Sequence, residues 1–372
     1  NTLSLHDALP ISGTASTLRS PMVYGILFAW AWLAVLAADR GGAPRRVTGA
    51  AVALAALTLA ALRGYSMDYD GYIELFDAMV LFDFPYPERL FLAKEPLMSL
   101  LIDGILWLQA GPQLMFVVMA LLAIAMKHEV FSRVFRGDTA AAWAVTLSLH
   151  FFLHEFTQSR VAVAIAACFL ALLAALEGRR KAWLGWCLFG FGWHVSALLF
   201  MTVSTALWLP RRWRVVGYAA GTAVIGALML LAFEWVGSID LRVGEYEGGA
   251  GVSGLMIAVI ALKLAMLALM AHWLRHAPVG SALASLVGPT LALVVCGLVM
   301  LLVLREVSSV IAFRFYEFFD AFSVFIVTGA LLLRRPLPVV TALAYCVLGI
   351  VLQVLPDLFK DFVLAPWSSY VG

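Results

Sequence analysis

The chain has 372 residues, of which 63% are apolar and 13% charged, with 25 Lys and Arg against 23 Asp and Glu for a net charge of +2. A water-soluble chain carries about 25% charged residues, and a soluble fold has too little interior to hide this much apolar surface; the composition therefore excludes most soluble enzyme classes. The near-neutral charge excludes a nucleic-acid binder and the lack of short alternating segments excludes a β-barrel, which leaves an all-α polytopic transmembrane helical bundle as the expected fold.

Residues 1–21 differ in character from the rest of the chain. Asn1–Ser20 has no methionine start, no basic segment leading into an apolar one and no helical period, so it is not a signal peptide. Its opening, NTLSLHDALPIS, looks like translated sequencing-adapter read-through, and Met22 is the expected native start. Residues 22–355 read as one transmembrane domain without internal repeats, and residues 356–372 as a short outer-face tail.

Apolar runs lie at 22–38, 47–62, 95–110, 113–127, 139–153, 161–176, 182–193, 194–209, 214–233, 254–274, 281–304, 320–333 and 337–355. A full crossing takes ~20 residues, so the shorter runs borrow flanking residues, tilt, or cross in part. The expected total is about 12 or 13 membrane segments, with short outer-face helices. Basic loops mark the cytoplasmic side, which places 127–138, 177–181, 210–214, 275–277 and 334–335 inside and 154–160, 234–253 and 305–319 outside. The loop with Arg40, Arg45 and Arg46 also belongs inside. An odd number of runs separates it from 127, so one segment there does not cross; 95–110, short and carrying Asp103, is the expected irregular one, with a dip by 71–84 as the alternative. Runs 182–193 and 194–209 form a broken hairpin between two basic clusters, with Gly190-Phe191-Gly192 able to supply the bend.

The polar segments, in chain order, are the candidate sites. Residues 63–94 combine Arg63, Asp68, Asp70, Tyr65, Tyr69, Tyr72 and Tyr86, a composition that suits stacking on sugar faces and accepting from hydroxyls, or equally a solvated interfacial loop. His150, His154, Glu155 and Arg160 cluster around a turn. Arg160 either forks onto phosphate oxygens from an outward cavity or snorkels and pairs with Glu155, and the two histidines have no third ligand at usable spacing, so no metal is expected. His194, before Ser196 at the hairpin tip, reads as a base, a phosphate or hydroxyl ligand, or a satisfied buried histidine. The segment Glu234–Gly254 is a lid or a plain flexible loop. Arg305, Glu306, Arg314, Tyr316, Glu317 and Asp320 form an outer loop entering a span, where Arg314 and Glu317 suit either a site or a helix-surface pair. The four cysteines lie in apolar runs without metal or disulfide spacing. No phosphate-binding glycine loop or nucleotide fold is present, so an enzyme of this kind must use a substrate already activated in the membrane.

Arg63 with Asp68-Tyr69-Asp70-Gly71-Tyr72, then Glu95-Pro96-Leu97, Ser159-Arg160-Val161-Ala162, His194-Val195-Ser196-Ala197-Leu198 and Arg314-Phe315-Tyr316 together resemble the EpsG family of polysaccharide polymerases, which is similar to the Wzy O-antigen polymerases. The family's usual Arg-Gln pair stands here as Arg160-Val161. The resemblance implies a multi-pass glycosyltransferase of the bacterial inner membrane. It would polymerise undecaprenyl-pyrophosphate-linked oligosaccharide repeat units at the outer face, for exopolysaccharide, capsule or O-antigen. Membrane lipids, a flippase and a chain-length regulator would be its partners, and it would need neither cofactor nor nucleic acid. Asp68, Asp70 and His194 are then the candidate proton acceptors. Arg63, Tyr69, Tyr72, Glu95, Glu155, Arg160, Ser196, Arg314 and Tyr316 are the candidate substrate-binding residues. The alternative is a multi-span transporter or lipid-linked sugar flippase, against which stand the missing hydropathy repeat and the concentration of sugar-type residues on one face. A membrane acyltransferase using His194 or His150 would need a cytoplasmic acyl donor, whereas both histidines plot outside.

Overall fold

Alanine density decides which helix sits at the centre. The computed structural model describes residues 26, 28–33, 35, 45–63, 68–81, 95–136, 138–237 and 254–354. The leader 1–21, the loop residues 238–253 and the tail 356–372 lie outside the described residues. Every described element is helical. The chain runs through α1 (Arg45–Ala61), α2 (Tyr69–Leu81), α3 (Pro96–Trp107), α4 (Gln113–Val134) and α5 (Thr139–Leu149). A π-helix (Phe152–Thr157) then leads into α6 (Ser159–Leu176), α7 (Arg180–Trp193) and α8 (Ser196–Ser204). The remainder comprises α9 (Arg214–Gly237), α10 (Gly254–Arg275), α11 (Ser281–Leu304), α12 (Ser309–Asp320), α13 (Val324–Leu332) and α14 (Pro336–Val354).

Helix α6 carries alanines on all its faces, from Ala162 and Ala164 to Ala174 and Ala175, and these small side chains let α4 and α7 approach it from two sides. Its apolar window and that of Ile311–Leu332 are both 83% buried, whereas Arg211–Leu231 is 22% buried and faces outward. The bundle is thus organised around α6 and the continuous α12–α13 rod. Among the described residues, six helices are long and apolar enough to cross a membrane, and shorter apolar helices such as Val47–Ala61 and Thr139–Leu149 fill the gaps between them. Phe131, Phe169, Phe322 and Phe325 interlock where α4, α6 and α13 meet, with Phe169 and Phe325 centroids 4.8 Å apart.

The parity problem at the front of the chain has a physical answer. Gln113, at the start of α4, donates to the carbonyls of Ala61 and Arg63 at the end of α1. Both chain points therefore lie at the same end of the bundle, and everything between them makes no net crossing. Helix α3, with 12 residues, is too short to span, in line with the expectation that 95–110 is irregular. Helix α1 begins at the other end, where Gly49 packs so closely on Thr139 of α5 that no side chain fits. That end also collects Arg179–Lys181, Arg211–Arg214, Arg275 and Arg334–Arg335, and we call it the basic end.

Two local expectations change. The helical hairpin does not bend at its glycines: α7 continues through them to Trp193, and the break is at His194, which is extended at φ −163° and ψ 136°. The glycines serve packing instead. A Cβ on Gly192 would lie 2.7 Å from Leu97 of α3, and one on Gly190 would lie 3.1 Å from Ala197 of α8. The segment expected as an outer loop at 305–319 is helical from Ser309, with Ser308 as N-cap accepting from the Ile311 N–H at 3.4 Å. Buried Ala312, Phe315, Phe318 and Phe319 give it the apolar face that holds it in the bundle.

These placements put Asp70 and Arg179, both exposed, at opposite ends of the bundle. The native cysteines Cys168, Cys187, Cys296 and Cys346 are all buried and give little background. Asp70→Cys and Arg179→Cys are therefore expected to react with a membrane-impermeant maleimide from opposite sides of the membrane. Labelling of both from one side would contradict the arrangement.

Candidate active site

Arg160 sits on the first turn of α6, at the end opposite the basic one, and three segments close around it. Its backbone N–H and its Nε both donate to the Tyr72 hydroxyl, at 3.3 and 3.4 Å. Its Nη1 pairs with the Glu95 carboxylate, and the guanidinium carbon lies 5.2 Å from the Tyr72 ring centre. Glu95 occupies the N-cap of α3 in extended conformation, and Pro96 fixes the helix start directly behind it. The Leu97–Gly192 contact then pins that turn against the hairpin. A carboxylate hydrogen-bonded to a partly buried arginine holds the planar fork in one orientation.

Arg63 approaches from the end of α1. Its Nη1 donates to the Glu155 carbonyl at 3.1 Å, and its guanidinium lies 4.3 Å from the Phe116 ring centre. Phe116 in turn stacks on Tyr69 at 5.0 Å and meets Tyr72 edge-on at 5.7 Å, so α2 and α4 present a joined aromatic shelf. Asp68, just before α2, is half-buried within electrostatic range of Arg314, Arg160 and Arg63. Burial raises its carboxyl above the ordinary carboxylate value, and the three arginines oppose that rise without cancelling it.

His194 completes the ring from the hairpin tip, with Arg160 and Arg314 as its charged neighbours. The Ser196 N–H donates to its Nδ1 at 3.2 Å. An accepting Nδ1 places the proton of the neutral ring on Nε2, so His194 offers a donor to the site. Arg314 is exposed on the first half of α12 and faces the same group.

Below this ring lies a second polar layer, buried in the bundle. Lys127 pairs with Glu155, and both side chains are almost fully buried. The π-helix creates this contact: its wider turn, marked by the Gln158 N–H reaching the Leu153 carbonyl, projects Glu155 toward α4. Lys263 of α10 pairs with Asp320 at 2.5 Å, and Asp320 also accepts from Tyr345 at 3.2 Å and Tyr316 at 3.4 Å. His150 and His154 stack at 5.9 Å between the two pairs, with Ser323 3.5 Å from His150 Nε2.

The structure thus brings Arg63, Asp68, Tyr69, Tyr72, Glu95, Arg160, His194, Ser196 and Arg314 to one place from five separated stretches of chain. Glu155 and Tyr316 belong to the layer beneath, and Asp70 is exposed on the first turn of α2 with no described tie to the ring. Sequence reasoning placed Lys127 in a cytoplasmic loop and passed over Lys263 inside an apolar run. Helix α4 instead continues to Val134, and Lys127 is 1% exposed. Gln158 was also missed: it is buried two residues before Arg160, and its Nε2 has no hydrogen-bond partner among the described residues. The available signal was an ionisable residue within an apolar run, which carries a functional or structural reason by default.

The EpsG family model matches residues 47–359, which is most of the chain and includes every residue of both layers. The chain belongs to the EpsG family. No curated protein and no solved structure matches it.

Removing one partner of a buried pair leaves an uncompensated charge, while removing both does not. Lys127→Met is expected to lower stability by about 3–5 kcal/mol, and Lys127→Met with Glu155→Gln to recover most of that loss. Thermal unfolding of the detergent-purified variants measures this. Equal destabilisation by the single and double variants would contradict the pairing.

Proposed function

We propose that this EpsG-family protein is a polysaccharide polymerase whose donor, a glycan linked through pyrophosphate to a polyprenyl lipid, binds at the Arg63–Arg160–Arg314 ring on the outer face of the bacterial inner membrane. The observation that carries this reading is the convergence of three guanidiniums on one half-buried aspartate beside an aromatic shelf, with His194 next to two of them. Three guanidiniums gathered at one point supply the planar forks of N–H donors that a diphosphate accepts from. The aromatic shelf of Tyr69, Tyr72 and Phe116 suits the apolar face of a sugar.

The step is a displacement at the anomeric carbon. The acceptor hydroxyl oxygen forms the new C–O bond, the bond from the anomeric carbon to the pyrophosphate oxygen breaks, and the lipid pyrophosphate leaves with the electron pair. Arg63, Arg160, Arg314 and the His194 Nε2–H stabilise the charge that grows on the leaving oxygens, the form of catalysis in which fixed donors act where charge develops. The hydroxyl proton goes to Asp68. Burial favours Asp68 for this role, because a carboxylate raised above its ordinary value is a stronger base near neutral pH. Asp70, exposed, is less suited, and His194 acts as a donor. No nucleotide is needed, since the pyrophosphate linkage is already activated. The repeat units would come from a flippase, and a chain-length regulator would act on the product.

Asp68→Asn is expected to lower polymer formation by about 10²–10⁴-fold while single lipid-linked repeat units accumulate, because the amide keeps the shape and loses the base. Arg160→Lys is expected to cost about tenfold or more, since lysine keeps the charge but neither the fork toward Glu95 nor the contact with the Tyr72 ring. A polymer ladder, read at equal protein level in membranes, measures both. The wild-type rate should fall on acidification, at a pH above the ~3.9 of an ordinary aspartate, because Asp68 must be ionised to accept a proton. Long chains made by Asp68→Asn at the normal rate would remove Asp68 from the chemistry.

A further inference from the structure

The same helices enclose a second polar feature at their basic end. A cavity of about 300 Å³ lies between the end of α4, the turn before α11 and the turn between α13 and α14. Its walls are largely apolar, with Val134, Leu283 and Leu332 among them, and its charged lining consists of Arg136 and Arg335. Arg136 lies directly over Gly280: an added Cβ there would be 3.0 Å from Nε and 3.1 Å from Nη2. Gly280 is the N-cap of the 24-residue α11 and supplies no side chain to its first N–H groups. The guanidinium is therefore held against the positive end of a long helix dipole, with Arg335 lining the same space.

Arg136 and Arg335 are both exposed at the mouth of this space, open to an anion arriving from outside. The described ion pairs at this end, Arg133 with Glu129 and Arg179 with Glu177, involve neither Arg136 nor Arg335. Arg275, in the last turn of α10, adds to the positive charge. Beside Arg335, exposed Leu337, Val340 and Val347 continue along one side of α14 as an apolar strip. An amphiphile with an anionic head fits all of this: phosphate oxygens between the guanidiniums and the α11 N–H groups, acyl chain along α14.

We propose that this cavity is a binding site for the phosphodiester headgroup of an anionic phospholipid, separate from the arginine ring at the other end of the bundle. The shared chemistry is that of a phosphate, and the apolar walls and the α14 strip favour the lipid over a soluble anion.

Native mass spectrometry of the detergent-purified protein tests it, with phosphatidylglycerol, phosphatidylethanolamine of the same acyl chains, and inorganic phosphate as probes. Wild-type protein should retain phosphatidylglycerol about tenfold more strongly than Arg136→Gln with Arg335→Gln, as expected when bidentate phosphate contacts are lost, and phosphatidylethanolamine, whose ammonium offsets its phosphate charge, should show a smaller difference. Gly280→Ala keeps both charges and pushes the Arg136 guanidinium aside, so it should also weaken phosphatidylglycerol retention. It serves as the test if the double variant does not fold. Unchanged retention in these variants would overturn the site. Displacement of phosphatidylglycerol by millimolar inorganic phosphate would overturn the lipid as its occupant.

Discussion

The pairing of Arg160 with Glu95, under the Tyr72 hydroxyl, is the interaction on which the upper half of the molecule depends. It joins the start of the central helix α6 to the cap of α3 and to α2. Without it, the arginine at the head of the alanine-rich buried helix would lose its paired carboxylate, and the start of α6 would lose its tie to the cap of α3. With it, the short helices α2 and α3 are anchored over the long apolar helices of the bundle, and the loop residues Arg63 and Asp68 are drawn to the same point.

The second layer has the same logic in a drier setting. Lys127–Glu155 and Lys263–Asp320 connect α4 to the π-helix and α10 to the foot of α12, with the histidines between them. Each pair fixes a residue next to the upper ring. The carbonyl of Glu155 receives Arg63, and Asp320 ends the helix that carries Arg314. Buried pairs of this kind add little net stability over apolar substitutes, and their value lies in specifying one arrangement. Here that arrangement sets where two of the three arginines point. Intramembrane charges of this kind also occur in transporters, so the layer alone does not separate an enzyme from a carrier. The arginine ring and the EpsG family membership favour the enzyme.

Much of the fold was legible in the sequence because lipid imposes a simple rule. Apolar runs had to become helices, and the positions of Arg179–Lys181 and Arg211–Arg214 placed both ends of the hairpin on one side. The members of the ring were legible as ordered motifs, since each carries an arginine, histidine or carboxylate next to a turn. Their convergence was not, because it depends on contacts across long separations: Arg160 meets Glu95 65 residues away and Tyr72 88 residues away. The partners of Lys127 and Lys263 were illegible for the same reason, lying 28 and 57 residues away. The hairpin glycines misled because glycine serves close packing as readily as bending. The 305–319 segment misled because its charges masked an apolar face at helical spacing.

If the arginine ring joins glycans on a lipid pyrophosphate, it needs no other component to do so. The most direct measurement is chain extension by the purified protein in proteoliposomes, supplied only with a polyprenyl-pyrophosphate-linked repeat unit. Lipid-linked chains of two or more units are expected, with one lipid pyrophosphate released for each bond made, without added nucleotide. Translocation of the lipid-linked unit across the bilayer with no bond formed would contradict that expectation and assign the bundle to transport.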